Sequence, residues 1–183
     1  MATQGLVAVV SSTQRDAFEA PPDIAQLKAA FSRLPAGVVV VTSGSPCGEL
    51  VGATVSSFTS LSFAPPLVLL GLANESKTLS VILGHVHFAV HVVAEPQRHL
   101  AMRFASSGAH KFEAIAYDLS SCGVPILTDF ETRLLCRLER AQTAGDHHLL
   151  IGRVIDVALG QREVQPVAWF QKAFRCFQGF PAV

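Results

Sequence analysis

From Ile24 onward the apolar positions follow two rhythms. In IAQLKAAFSRL, Ile24, Leu27, Phe31 and Leu34 recur at three- and four-residue spacings. That is the stripe of an amphipathic helix, which Asp23 can cap and Pro35 ends. VVVVTS (38–43) is continuous and β-branched, which predicts a buried strand. SPCGEL is its turn, and LVGATVSSF returns as the hairpin partner. After Pro65-Pro66, LVLLGLA (67–73) is a second buried strand. SKTLSVILG predicts a short helix, capped by Ser76 and stopped by Gly84. HFAVHVV (87–93) is a strand, and Glu95 to Ser106 a helix with Leu100 and Phe104 on one side. Residues 107–133 read as irregular structure with a short helix. ETRLLCRLERAQTAG and HHLLIGRVIDVAL predict two long strands joined near Gly145-Asp146. PVAWFQKAFRCF closes the chain as one more strand or strand pair. Residues 1–22 read as a flexible arm ending in Pro21-Pro22, and 23–183 as a single domain. Hairpin-linked strands with two or three helices between them predict a mainly β fold, a barrel with helical decorations.

Composition narrows this. Half of the 183 residues are apolar and 15% are charged, which argues against disorder. Fourteen Lys and Arg balance fourteen Asp and Glu, so no basic face invites nucleic acid. An uncharged, apolar chain can keep soluble by burying surface between two copies, so a homodimer is expected. Cys47, Cys122, Cys136 and Cys176 are scattered without a CxxC pair. They predict free thiols in a reducing cytoplasm rather than a disulfide framework or thiolate zinc site. The short apolar run near the N-terminus has no basic segment before it and is not read as a secretory signal. No apolar run is long enough to predict a membrane span.

Several stretches carry candidate chemistry. In HVHFAVH, a strand would put His85, His87 and His91 on one face, with Glu95 further on. The remaining ligands of a metal-binding barrel are missing, so no metal is assigned. There is no GxSxG, and Cys136 lies in an apolar pattern that predicts inert packing. Asp146-His147-His148 falls where two strands turn, and pattern alone does not separate a functional histidine from a polar hairpin closure. GATVSSFTSLSF is rich in hydroxyls, and about twenty residues on comes Ser76-Lys77-Thr78 at a helix N-terminus, a favourable place for an anion. Two hydroxyl clusters on neighbouring elements can hold a phosphorylated ligand without a glycine loop. They can equally be a helix cap and exposed strand residues.

Taken in order, LPAGVVVVT, GATVSSFTSLSFAPPLVLL, SKTLSVI, HFAVHVV, LAMRFA, KF and GDHHLLIGRV resemble the flavin reductase family with the FMN-binding split-barrel fold. The resemblance spans about residues 24–178, and the tail PVAWFQKAF is similar to members that accompany aromatic polyketide pathways. It implies FMN or FAD as flavin and NADH or NADPH as hydride donor. It implies that Pro35, Ala36, Gly37 and Val38 lie near the isoalloxazine edge. It also implies that Thr54, Ser56, Ser57 and Phe58 line the flavin, with Ser62 and Phe63 nearby. Ser76, Lys77 and Thr78 match the phosphate or ribityl contacts, and His147 the histidine bordering the nicotinamide side. Three positions depart from many relatives: His91 where Asn is common, Val55 in place of a small residue, and Lys172 in place of Gly.

The implied activity is NAD(P)H:flavin oxidoreduction, with hydride passing from nicotinamide C4 to flavin N5. The cofactors carry that chemistry, which agrees with the lack of an acid–base pair in the sequence. The reduced flavin would then diffuse to a flavin-dependent monooxygenase. Two rival readings keep the flavin: an oxidoreductase that retains FMN and acts directly on a quinone or polyketide, and a non-catalytic flavin-binding protein.

Overall fold

A computed structural model describes residues 22–45, 47–108 and 110–177, so the expected arm lies, apart from Pro22, outside the described residues. In chain order the elements are α1 (Ile24–Ser32), β1 (Ala36–Gly37), β2 (Val39–Gly44), β3 (Leu50–Val55), β4 (Thr59–Phe63) and β5 (Pro66–Ala73). There follow α2 (Lys77–His85), β6 (His87–Val92), α3 (Arg98–Ala105), β7 (Tyr117–Leu119) and β8 (Pro125–Leu127). The last four are β9 (Thr132–Ala144), β10 (His147–Leu159), β11 (Val167–Phe170) and β12 (Ala173–Cys176). Seven strands form one antiparallel sheet in the order β3-β2-β6-β9-β10-β5-β4. A second sheet joins β1, β11 and β12, and β7 pairs with β8.

The unbroken valine run has a cause in this topology. Successive side chains leave a strand on opposite faces. Val39 and Val41 pack with Leu70, Ile82, Phe88 and Leu150 in one core. Val38 and Val40 pack with Phe104, Leu127 and Phe130 in another. β2 is buried along its whole length because it divides the two cores. Its polar residues are paired internally: Thr42 Oγ1 donates to Pro125 O at 2.6 Å and Ser43 Oγ to His87 O at 2.8 Å. Gly152 gives way to the buried ring of Phe88, which would overlap a Cβ at that position.

Ser76 caps α2 by accepting from Leu79 N at 3.4 Å, as its position before the helix predicts. The helix runs one residue past Gly84 and stops where Val86 turns left-handed, with φ 59°. Other expectations need correction. His85 belongs to α2, so HVHFAVH is not one strand with three histidines on a face. His91 on β6 is buried, with Nδ1–H donating to Val40 O at 3.1 Å and Nε2 accepting from Leu127 N at 2.9 Å. Burial holds its pKa at about 4, so it is a neutral structural imidazole. Among the described residues no group of three or more His, Cys, Asp or Glu is placed to hold a metal ion. The 107–133 segment carries the β7–β8 hairpin and turns instead of a short helix among its described residues. The α1 stripe is exposed: Ile24, Phe31 and Leu34 are 67%, 68% and 70% accessible. Periodicity shows that one face wants cover, and here this chain's own core does not supply it. No helix among the described residues is long and apolar enough to cross a membrane.

Candidate active site

The sheet is split where β3 and β5 approach each other. β4 pairs with β5 from Pro66 to Leu69. Beyond Leu69, the edge of β5 is taken by a side chain: Ser57 Oγ donates to Gly71 O at 3.0 Å and accepts from Gly71 N at 3.2 Å. One hydroxyl thus replaces a rung of strand pairing across the seam. A cavity of about 350 Å³ lies there, between Thr54–Ser57 on one side and Gly71–Ala73 on the other, with Ser76 and His147 at its rim. Gly71 leaves its floor bare, since a Cβ would stand 3.2 Å from Ser57 Oγ and 3.9 Å from His147 Cδ2.

A second cavity of about 170 Å³ adjoins the first across Thr54–Ser56. Val38, Ala101, Met102, Ala105, Trp169 and Phe174 complete it, and the two aromatic rings meet edge to face at 5.2 Å. Thr54 Oγ1 donates to Ala101 O at 2.6 Å, which ties β3 to α3 between the cavities. Ala36 and Gly37 pair with Trp169 and Ala168, so the PAGV turn is fixed beside the aromatic wall. Pro35 precedes this strand and is exposed.

The structure brings Thr54, Ser56, Ser57, Ser76 and His147 around one cavity, and Val38 to the adjoining one. Ser56 is exposed and has no hydrogen-bond partner among the described residues. Phe58 packs on the core. Thr78 is buried, and Lys77 extends to Glu49, Nζ to Oε1 3.4 Å. Ser62 and Phe63 are not gathered in. They pair with Leu67 and Pro66, at the opposite end of β5 from Ala73, roughly 20 Å along the strand. Phe63 is 96% accessible there.

The β9–β10 hairpin places His147. Its two-residue turn has Gly145 at φ 64°, a backbone state open to glycine at little cost. His147 opens β10 opposite Ala73, and its Nδ1 lies 2.8 Å from Asp146 Oδ1. That hydrogen bond, with the histidine's charge, holds the exposed Asp146 carboxyl below the usual carboxylate range. His148 has a different task. Its Nδ1 lies 2.8 Å from Asn74 Oδ1 and its Nε2 3.1 Å from Thr143 Oγ1. The adjacent histidines are thus divided between the cavity and the hairpin's anchorage.

Sequence reasoning did not single out Gly71, Asn74, Trp169 or Phe174. Gly71 did carry a signal: a glycine inside the strand LVLLGLA marks a close approach by backbone or ligand. The aromatic wall carried none, because it depends on the pairing of β1 with β11.

The flavin reductase like domain profile matches residues 31–178. The chain is 34% identical over 148 residues to an NADH:riboflavin 5'-phosphate oxidoreductase of Streptomyces pristinaespiralis, covering 79% of this chain and 83% of that protein. It is 34% identical over 128 residues to the stachydrine N-demethylase reductase subunit Stc3 of Rhizobium meliloti, covering 70% of this chain and 56% of that one. It spans about half the length of its Rhizobium meliloti relatives. A solved structure, the Streptomyces globisporus NADH:FAD oxidoreductase SgcE6 in complex with NAD and FAD fragments, superposes with a TM-score of 0.81 at 30% identity. That match covers 91% of this chain and all of the other. The fold is the split barrel of these reductases, and the chain belongs to the flavin reductase like domain family.

Proposed function

We propose that this protein is an NAD(P)H-dependent flavin reductase that reduces FMN or FAD and supplies the reduced flavin to a partner monooxygenase. The observation that carries the reading is the seam cavity, with a glycine floor, hydroxyls along one wall, a capped helix at its rim and a histidine beside it. These residues fit a flavin, which needs a slot free of side chains, hydrogen-bond groups along its edge and one open face. When bound, the flavin supplies the hydride-accepting ring and the nicotinamide the hydride.

The chain's own groups bind and orient. Ser76 and the N-terminus of α2 favour the phosphate. Ser56 offers a hydroxyl that has no hydrogen-bond partner among the described residues, and Ser57 offers its remaining lone pair to ring edge or ribityl. Gly71 gives the ring room. His147, held by Asp146, borders the open side and orients the nicotinamide, whose reacting carbon must come within roughly 3–3.5 Å of its target. The Trp169–Phe174 wall and Val38 pack against the apolar end of the ring system, next to the PAGV turn.

The exposed α1 stripe, together with Leu149, Val157 and Leu159 on β10, supports a homodimer that covers these apolar positions. The similarity to a reductase subunit supports a separate oxygenase as recipient of the flavin, and the PVAWFQKAF tail supports a natural-product pathway as its setting.

The test mixes purified protein with FMN or FAD and with NADH or NADPH, and follows nicotinamide absorbance. Flavin-dependent oxidation of at least one donor is expected. Oxidation that does not depend on flavin, or none with either donor, sinks the reading.

A further inference from the structure

Asn74 lies in the turn between β5 and α2 and makes three hydrogen bonds to the β9–β10 hairpin. Its backbone N–H donates to Asp146 O at 3.0 Å. Its side-chain Nδ2 donates to Gly145 O at 3.1 Å, and its Oδ1 accepts from His148 Nδ1 at 2.8 Å. Every polar atom of the side chain is used, and all the partners belong to the β9–β10 hairpin, whose turn leads into His147. His148 is braced in turn by Thr143 on the opposite strand, at 3.1 Å. The same turn also sets the start of α2, because Ser76 N donates to Ala73 O at 2.9 Å.

We infer that Asn74 is a positioning residue for the nicotinamide step: with His148 it clasps the Gly145–Asp146 turn and fixes where His147 stands relative to the N-terminus of α2. The inference rests on the reading of His147 as the residue that borders the hydride donor. β10 also pairs with β5 as far as His147 opposite Ala73, and the backbone N–H of Asn74 extends that pairing to Asp146 O, so the main chain sets where the hairpin lies. The Asn74 side chain adds what pairing does not supply, reaching past the ladder to Gly145 O and to the His148 ring, and so holds the tip of the turn from which His147 leaves. Asp146 in turn holds His147 Nδ1, so the orientation of the ring is set through a chain of short contacts that begins at Asn74. The side-chain contacts of Asn74 reach Gly145 and His148 and not Ser56, Ser57 or Ser76, so truncating that side chain tests donor placement apart from flavin binding.

The experiment is a cycle of Asn74→Ala, His147→Ala and the double variant. Steady-state rates are taken against NADH or NADPH at saturating flavin, and flavin Kd is measured separately by fluorescence. Asn74→Ala is expected to raise KM for the donor on the order of tenfold, the scale of a lost orienting contact, with flavin Kd changed by less than about twofold. In the His147→Ala background the same change is expected to do almost nothing, since its route is gone. Asn74→Asp keeps the acceptor for His148 but loses the donor to Gly145 O, so it should recover part of the loss. Equal losses in both backgrounds, a matching rise in flavin Kd, or no effect of Asn74→Ala beside an impaired His147→Ala would each overturn the inference alone. Unchanged donor kinetics in His147→Ala would overturn the reading of the site, and the inference with it.

Discussion

Two histidine-bearing regions of one sheet use their hydrogen bonds in opposite ways. At His91, in the middle of the sheet, both ring nitrogens are taken by backbone groups from β2 and β8, and the ring is inaccessible. At His147, on the seam, one ring nitrogen is held by Asp146 and the ring borders a cavity. The same contrast holds for hydroxyls: Thr42 and Ser43 serve the core, while Ser56 has no partner among the described residues. A polar residue belongs to the scaffold when its bonding is closed within the fold. It becomes a candidate for the site when bonding capacity is left over beside space for a ligand. Residue type and spacing do not show which case applies.

The strongest way to break this comparison is pH. Burial holds His91 at about 4 in the folded chain, below its ordinary 6.5. As pH falls, the unfolded chain takes up the proton first. The contribution is therefore fully present above about 6.5 and lost progressively down to about 4, in all roughly 3 kcal/mol at 1.36 kcal/mol per pH unit. Urea melts across that window should show the loss. His91→Asn should remove this component of the slope, and His147→Ala should leave it. An unchanged slope in His91→Asn would place the titration elsewhere.

Glycines sharpen the contrast at a smaller scale. A methyl at Gly152 meets the Phe88 ring and Cys136 in the core. Gly152→Ala is expected to cost about 1–3 kcal/mol, or roughly 2–4 °C of Tm per kcal/mol for a chain of this size. Flavin Kd measured below the melting range should stay put. A methyl at Gly71 meets Ser57 Oγ at 3.2 Å and projects over the cavity floor. Gly71→Ala should do the reverse: a small change in Tm, and a flavin Kd raised about tenfold, ~1.4 kcal/mol. If both substitutions move stability and affinity together, the division between core and seam is false.

What could be read from the chain beforehand divides along a physical line. The valine run of β2, the Ser76 cap and the Gly145 turn are local, and each is where the pattern predicts it. β4 was hidden because its pairing depends on β5 and on where Ser57 leaves the ladder. The hydroxyl-rich run GATVSSFTSLSF reads as one feature, yet its two halves part: Thr54–Ser57 stay at the seam, and Ser62 and Phe63 go to the far end of β5. A turn between the halves decides this, and composition does not encode its direction. Asn74 was illegible for a related reason, since its partners lie 71 and 74 residues away.

The last test concerns charge at the seam's anion end. Lys77 is the first residue of α2, next to the Ser76 cap, and its Nζ lies 3.4 Å from Glu49 Oε1. Both side chains are well exposed, so the pair itself contributes little to stability. Its effect on a ligand differs, because Glu49 both engages the ammonium and adds negative charge where a phosphate would sit. Glu49→Gln should free Lys77 and tighten FMN about twofold, ~0.4 kcal/mol. The gain should fade as salt rises, because exposed charges are screened over a Debye length of about 10 Å at 0.1 M. Riboflavin, which lacks the phosphate, should bind the variant as it binds the parent. An equal gain for riboflavin would mean that Glu49 acts on the ring end, and the placement of the phosphate at the α2 N-terminus would have to be reversed.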